Sequence, residues 1–535
     1  MRTIILSLFL FLLTSLQLSA QLWTLGQKLG TADQWGGDNL GISVAISDSF
    51  MITGAWWADY DENGGARISE AGSAYIYKLQ ANGDWQEIQK LVSPERQRLG
   101  YYGFSVDIEG DLALVGAFNE SLGSSGAAGK AYVYRRESND IWVLEDTLKS
   151  LNPLNGDFLG KSLSLSGDYA LLGSPGNDTD ENGANPMPEA GAAYIFKRAA
   201  NQSWTQLVKL VAEDRANGDE FGSVVALDNY ALMIGAPPKD ADQLSLATGI
   251  AYGTYFETES EFEQMTLADL QRIEASDSDF FDSFGSGLAL DGEWAVIGAA
   301  RAESDLATTL GRANGAAYFF KWENDSWVEK QKVFPSNPDF SGSFGSSIDM
   351  EGSAAIIGAG TAACDRNQSN LISAAGAAHV FELDGNGQWS EKAKLAGTER
   401  SDSDLFGAAV SISQDFVMVG AWGADTVNGE TKPAMGAIYT FERAWPLARE
   451  NELQLDQIEF SYDRNSHLIS IGNQSLEKRK YLMQIIGLDG KLIWEESAEW
   501  LDNWEKDVSV LPAGFYVFRL QKEGFLPFYR KWIKE

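Results

Sequence analysis

The chain has 535 residues, with 54 Gly against 13 Pro, 12% aromatic side chains including 17 Trp, and a net charge of -35. That length exceeds one compact core, so more than one domain is expected. So many aromatics exclude a disordered chain, and so acidic a surface repels phosphate backbones and excludes a nucleic-acid partner.

In chain order, the first predicted element is a secretory signal over residues 1–20. Arg2 supplies the positive n-region, Ile4 to Leu13 an apolar run, and Ser19-Ala20 a small-residue cleavage site before Gln21. The run is too short to span a bilayer, and no later segment is apolar enough to be a transmembrane span. An exported chain with the single cysteine Cys364 has no internal disulfide framework. Its stability must come from packing, closure or bound ions.

A repeat follows. An aromatic residue or Leu precedes Gly41, Gly103, Gly160, Gly222, Gly285, Gly345 and Gly407. Thirteen residues after each comes a second glycine: Gly54, Gly116, Gly173, Gly235, Gly298, Gly358 and Gly420. Each interval holds two alternating apolar runs with a turn between, as in Phe104-Ser-Val-Asp-Ile, Glu109-Gly-Asp and Leu112-Ala-Leu-Val. Period-two alternation broken by a turn signal predicts a β-hairpin. A third strand of the type Gly129-Lys-Ala-Tyr-Val-Tyr comes next, and a fourth opens on Trp85, Trp142, Trp204, Phe262, Trp327 or Trp389.

Seven repeats of four antiparallel strands predict a seven-bladed β-propeller. Seven repeats need seven fourth strands, yet only six follow them. The missing one is Trp23-Thr-Leu-Gly-Gln-Lys-Leu at the front, whose Trp lies 18 residues before Gly41, as Trp85 does before Gly103. The N-terminal strand is therefore predicted to complete the last blade and close the ring. The opening aromatics are predicted to wedge between blades. In repeat four Phe262 lies 23 residues before Gly285, an insertion of five.

Phe221-Gly-Ser-Val followed by Ile234-Gly-Ala-Pro237 resembles an FG-GAP repeat, the unit of the propeller in integrin α-subunits and in many bacterial secreted proteins. The resemblance spans residues 21–444. It departs from the integrin pattern in one respect: turns such as Glu109-Gly-Asp111 and Ser166-Gly-Asp168 are too short for the integrin calcium loop, so that site does not carry over.

After a linker at 445–453 the repeats stop. Gly487-Leu-Asp-Gly-Lys491, Leu511-Pro-Ala-Gly-Phe-Tyr516 and the basic stretch Arg530-Lys-Trp-Ile-Lys534 resemble the C-terminal sorting domain of the type IX secretion system. The resemblance implies a small β-sandwich over 454–535, export by the type IX machinery, and a product that is secreted or held on the outer cell surface.

A residue found in every blade is architectural, and one that breaks the symmetry is a functional candidate. Asp38, Asp157, Asp219, Asp282 and Asp404, each three before its repeat glycine, read as turn caps. Two loops between second and third strands break the symmetry. Asp59, Asp61 and Asn63 with Glu70, and Asp178, Asp180 and Asn182 with Glu189, match D-x-D-x-N-G with Glu at position twelve, the spacing of a calcium loop. Structural calcium is the expected cofactor, with an acidic surface turn as the other reading. Fragments of the pattern occur at Asp240 and Asp242, Asp365 and Asn367, and Asp425 and Asn428.

Two residues after the second glycine, blades seven, one and two carry Trp422, Trp56 (followed by Trp57) and Phe118. Ring closure makes these blades neighbours, so the rings predict an aromatic crescent for a ligand, with local packing between blades as the other reading. Catalytic signals are thin. His379 stands in the Tyr slot of a third strand and His467 in the C-terminal domain; no nucleophile elbow or metalloprotease motif appears. The balance favours a binding or adhesion protein that recognises a polysaccharide or protein ligand through the loop face of the propeller. A calcium-dependent polysaccharide lyase or hydrolase is the alternative, since a fold does not by itself decide activity.

Overall fold

The computed structural model describes residues 23–443 apart from 238–247, 304–313, 337–341, 364–370 and 428, and in the C-terminal region 459–463, 468–472, 481–487, 492–498, 504–512, 514–522 and 528–534. The signal segment 1–20, the linker 445–453, Cys364 and His467 lie outside the described residues, as do Asp240, Asp242, Asp365, Asn367 and Asn428.

Each repeat forms one four-stranded antiparallel sheet with its strands in sequence order. Blade two is representative, with strands Val106–Glu109, Leu112–Gly116, Ala131–Arg136 and Trp142–Leu148. The last blade takes Ala409–Ile412, Phe416–Ala421 and Ala437–Arg443 from its own repeat and Trp23–Leu29 from the front of the chain. Trp23 pairs with Arg443 and Leu29 with Ile438, so the N-terminal strand closes the ring as predicted. Closure leaves no blade with an unpaired fourth strand.

The paired glycines set how closely blades approach. A Cβ built on Gly54 would sit 1.7 Å from the Gly103 carbonyl oxygen of the next blade, and one on Gly420 would sit 2.0 Å from that of Gly41. No larger residue fits such a contact. Further out, the aromatic that opens each fourth strand fills the space between blades. Trp142 packs edge-on to Phe50 of blade one at 5.8 Å, Trp85 to Phe416 of blade seven at 5.4 Å, and Trp389 to Trp294 of blade five at 5.6 Å.

Blade four differs from expectation. Phe262 does not open a fourth strand but lies on a short helix, α1 (Glu259–Glu263), and the strand is Gln271–Ile273. The local cause is a capping box: Thr258 Oγ1 accepts from the Glu261 N–H, and Glu261 accepts from the Thr258 N–H. Phe262 still fills the wedge position, 5.0 Å from Tyr169 of blade three.

In the C-terminal region, Glu459–Asp463, Leu468–Gly472 and Trp504–Asp507 form one antiparallel sheet, and Tyr481–Gly487, Leu492–Ala498, Gly514–Lys522 and Phe528–Lys534 form a second. Among the described residues the chain is all-β apart from α1 and one 3₁₀ turn. None of the described helices is long and apolar enough to cross a membrane.

Candidate ligand-binding face

Antiparallel order gives the ring two ends. One carries the turns between first and second strands, the other the loops between second and third strands and the connections from blade to blade.

Along each first strand, from the repeat glycine towards the turn end, alternate residues face the same way and reach into the next blade. Two residues after the repeat glycine, the hydroxyls of Ser43, Ser105, Ser162 and Ser347 donate to the carbonyls of Gly103, Gly160, Gly222 and Gly407 at 2.7–2.9 Å. Two residues further, Asp107 accepts from the Leu165 N–H (2.7 Å), Asp349 from Ile412 (2.8 Å) and Ser411 from Ile46 (3.2 Å). Two further again, Ser47 accepts from Gly110, Glu109 from Gly167, Ser166 from Asn229, Asp228 from Gly292 and Asp291 from Gly352. The second and third sets of laces line a cavity of about 720 Å³ on the axis. Burial pushes Asp107 and Glu351 up to about 7 and Asp349 to about 6. Among the described residues that line it there is no Lys, Arg, His or Tyr to serve beside these carboxylates as acid, base or electrophile.

The loop end is not uniform. Three positions per blade meet near the axis there: two before the repeat glycine, one after it, and two after the second glycine. In blade five they are Ser283, Ser286 and Ala300, and in blade six Ser343, Ser346 and Gly360. In blade two they are Tyr101, Phe104 and Phe118. The first of the three is left-handed in every blade, for example φ 55° at Tyr101, 57° at Phe158 and 57° at Ser283, so this strain belongs to the architecture.

The rings form a continuous track across blades one to three. Trp57 lies 5.0 Å from Trp56, which lies 5.0 Å from Tyr101 and 5.3 Å from Phe104. Phe118 stacks on Tyr101 at 5.5 Å, meets Phe104 edge-on at 4.7 Å, and touches Phe158 at 5.9 Å. Trp57 is exposed at 41%, and the other five rings are half-buried. The crescent expected over blades seven, one and two is thus displaced by one blade. Trp422 is half-buried and its carbonyl accepts from Asn39 Nδ2 (3.2 Å), but no ring contact joins it to the track. Tyr101, Phe104 and Phe158 were not among the sequence candidates, because their symmetry-breaking shows only when the repeats are aligned at three positions at once.

The two acidic loops fold alike. Asp61 accepts from the N–H groups of Asn63, Gly65 and Ala66, and Asp180 from those of Asn182 and Ala184 and from the Asn185 side chain. These bonds hold both carboxyls below the usual range. Asp59 accepts from the Glu70 N–H (2.8 Å) and pairs with Arg67 (2.7 Å); Asp178 accepts from the Glu189 N–H (2.7 Å). Glu70 and Glu189 are left-handed, at φ 56° and 51°, so each offers its N–H to the first loop aspartate. The Glu70 carboxylate instead accepts from the Tyr101 hydroxyl at 3.3 Å and joins the aromatic track. Arg96 and Arg215 pin the loops from beneath, donating to the carbonyls of Asp59 (2.6 Å) and Asp178 (2.6 Å).

The loops differ in their centres. In blade three the Lys209 ammonium donates to Asn177 Oδ1, to the Thr179 carbonyl and hydroxyl, and to the Asp180 carbonyl, all within 3.0 Å. The matching Lys90 of blade one turns to Asp33 at 2.6 Å. Among the described residues, no three acidic, His or Cys side chains converge as a ready metal cage in either loop. The fragment residue Asp425 accepts from the Ala434 N–H.

The remaining candidates are turn caps and a packed histidine. Asp38, Asp157, Asp219, Asp282 and Asp404 each accept from the N–H three residues earlier, at 2.6–2.9 Å. His379 is buried against Phe344, with Nδ1 3.0 Å from Glu391. A phenol–carboxylate–cation trio also recurs: Tyr75, Asp33 and Lys90; Tyr252, Asp214 and Arg272; Tyr318, Asp277 and Lys332.

A family model described as FG-GAP repeat matches residues 23–77, 85–134, 142–196, 204–255, 268–320, 327–381 and 389–441, together more than half of the chain. No curated protein matches it significantly.

Proposed function

The chain belongs to the FG-GAP repeat family, and on that premise we propose that it is an exported binding or adhesion protein whose ligand seats on the aromatic track of blades one to three. The observation that carries this reading is the contrast within one ring. Blades five and six hold the same three positions with Ser, Ala and Gly, so the architecture does not require Trp56, Tyr101, Phe104 and Phe118 there. Rings spread over three blades offer apolar faces to sugar rings or to apolar side chains of a protein. Glu70 and the Tyr101 hydroxyl add a polar edge.

A polysaccharide or a protein is the ligand class. Export follows from the signal-like segment 1–20 and from the likeness of 454–535 to a type IX sorting domain. That places the product outside the cell or on its outer surface, and deletion of 454–535 is expected to keep the chain inside the envelope. Calcium enters the proposal at the blade-one loop, through Asp59, Asp61, Asn63 and Glu70. In blade three Lys209 already holds the loop oxygens. Unchanged melting of the full chain after chelation would remove calcium from the proposal.

The deciding experiment incubates the full chain with a panel of insoluble polysaccharides and with extracellular proteins. Depletion of the chain without soluble fragments supports carbohydrate binding, and capture by a protein supports adhesion. Release of fragments overturns the reading in favour of a lyase or hydrolase.

A further inference from the structure

Beneath the blade-three loop, a half-buried lysine meets two buried polar side chains in an arrangement no other described blade repeats. Asn177 and Asp157 are exposed at only 1% and 2%. Lys209 Nζ lies 2.9 Å from Asn177 Oδ1. On the other side of the same amide, Asn177 Nδ2 donates to Asp157 Oδ1 at 2.9 Å. The Thr179 N–H and hydroxyl both donate to Asn177 Oδ1, at 3.0 and 3.2 Å.

The ring does not need this cluster. The position of Asn177, four after the second glycine, is Ala58, Ala302, Ala362 and Ala424 in blades one, five, six and seven. In blade two it is Glu120, which pairs with Lys130 at 3.1 Å. The lysine is also released from its usual duty. Lys90 and Lys332 pair with Asp33 and Asp277, each eight residues before a repeat glycine, whereas blade three has the neutral Asn152 there.

We propose that Lys209 and Asn177 join in an intramolecular isopeptide bond, with Asp157 as the catalytic acid and base. The neutral Lys209 amine attacks Asn177 Cγ, and the new C–N bond puts negative charge on Oδ1, where the two Thr179 donors already point. Asp157, protonated, gives its proton to Nδ2. The Cγ–Nδ2 bond breaks, ammonia departs, and the surplus proton on Nζ returns to the Asp157 carboxylate and leaves with ammonia as ammonium. One amide replaces another, so no oxidant, nucleotide or metal is consumed. Burial favours both starting forms: it lowers the lysine to about 8 and raises the aspartic acid, moving each towards its neutral state. The bond ties the outer strand Trp204–Leu210 to the base of the loop across a separation of 32 residues. It supplies a covalent staple to a chain whose one cysteine cannot form an internal disulfide.

The test is a tryptic digest of the full, folded chain, read by mass spectrometry. The expected result is loss of cleavage after Lys209 and a branched peptide carrying both residues, about 17 Da lighter than its two linear parts because ammonia has left. Linear peptides ending at Lys209 together with intact Asn177, recovered from folded wild-type protein, would sink the proposal. Lys209→Arg keeps the charge and should yield only linear peptides. Asp157→Asn keeps a hydrogen-bonding side chain and should leave the two residues unlinked in a folded protein. A full yield of branched peptide from Asp157→Asn would strip Asp157 of its role.

Discussion

The two ends of the propeller axis are built by the same seven strands under different rules. At the turn end, neighbouring blades meet through the same kind of bond again and again: a Ser, Asp or Glu side chain on the first strand, accepting a hydrogen bond from the backbone of the next. At the loop end the backbone repeats but the side chains do not, passing from Ser and Gly in blade six to stacked rings in blade two. The comparison teaches that carboxylates on the axis of an acidic propeller hold the ring together. Aromatic rings at the other end, free of that duty, are available for a ligand.

The sharpest way to break the comparison is to remove a lace. Asp349 accepts from the Ile412 and Met350 N–H groups and the Ser411 hydroxyl. Asp349→Ala strands those donors and should cost about 2 kcal/mol in denaturant unfolding, with ligand retention unchanged. Lost retention at undiminished stability would show that the turn end also binds.

The reverse pattern is expected at the other end. Trp57→Ala removes a ring that is 41% exposed, so stability should shift by less than about 1 kcal/mol. Retention on the ligand should fall about tenfold, as for an aromatic anchor at a binding surface. A large loss of stability with full retention would return the track to packing.

The third expectation is one of pH. Asp107 and Glu351 titrate near 7 and Asp349 near 6 in the folded ring, against ordinary values of 3.8 for Asp and 4.5 for Glu. A raised folded-state pKa means that the stability tied to the protonated form is complete below the ordinary value. It is lost as pH climbs through the folded one. Melting temperature should therefore fall from about pH 5 to about pH 8, and Asp107→Asn should make the fall shallower. An unaltered slope in the variant would show that these carboxylates do not set it.

Much of this architecture could be read in the chain itself. Fourteen glycines at a constant offset, a tryptophan opening six of the seven fourth strands, and a stray fourth strand at the front determined the blade count and the closure. These signals are legible because every blade must solve the same steric problem, a backbone approach too close for any Cβ and a wedge of fixed size, so each answer is written seven times. The tertiary structure alone decided what happens between residues that share no repeat position. It turned Glu70 away from its loop to Tyr101, and it left Trp422 off the track while bringing in Phe158. It swung Lys209 under Asn177 where Lys90 had gone to Asp33. Such choices rest on single contacts between segments 30 or more residues apart, as between Glu70 and Tyr101 or Asn177 and Lys209, and no local periodicity records them.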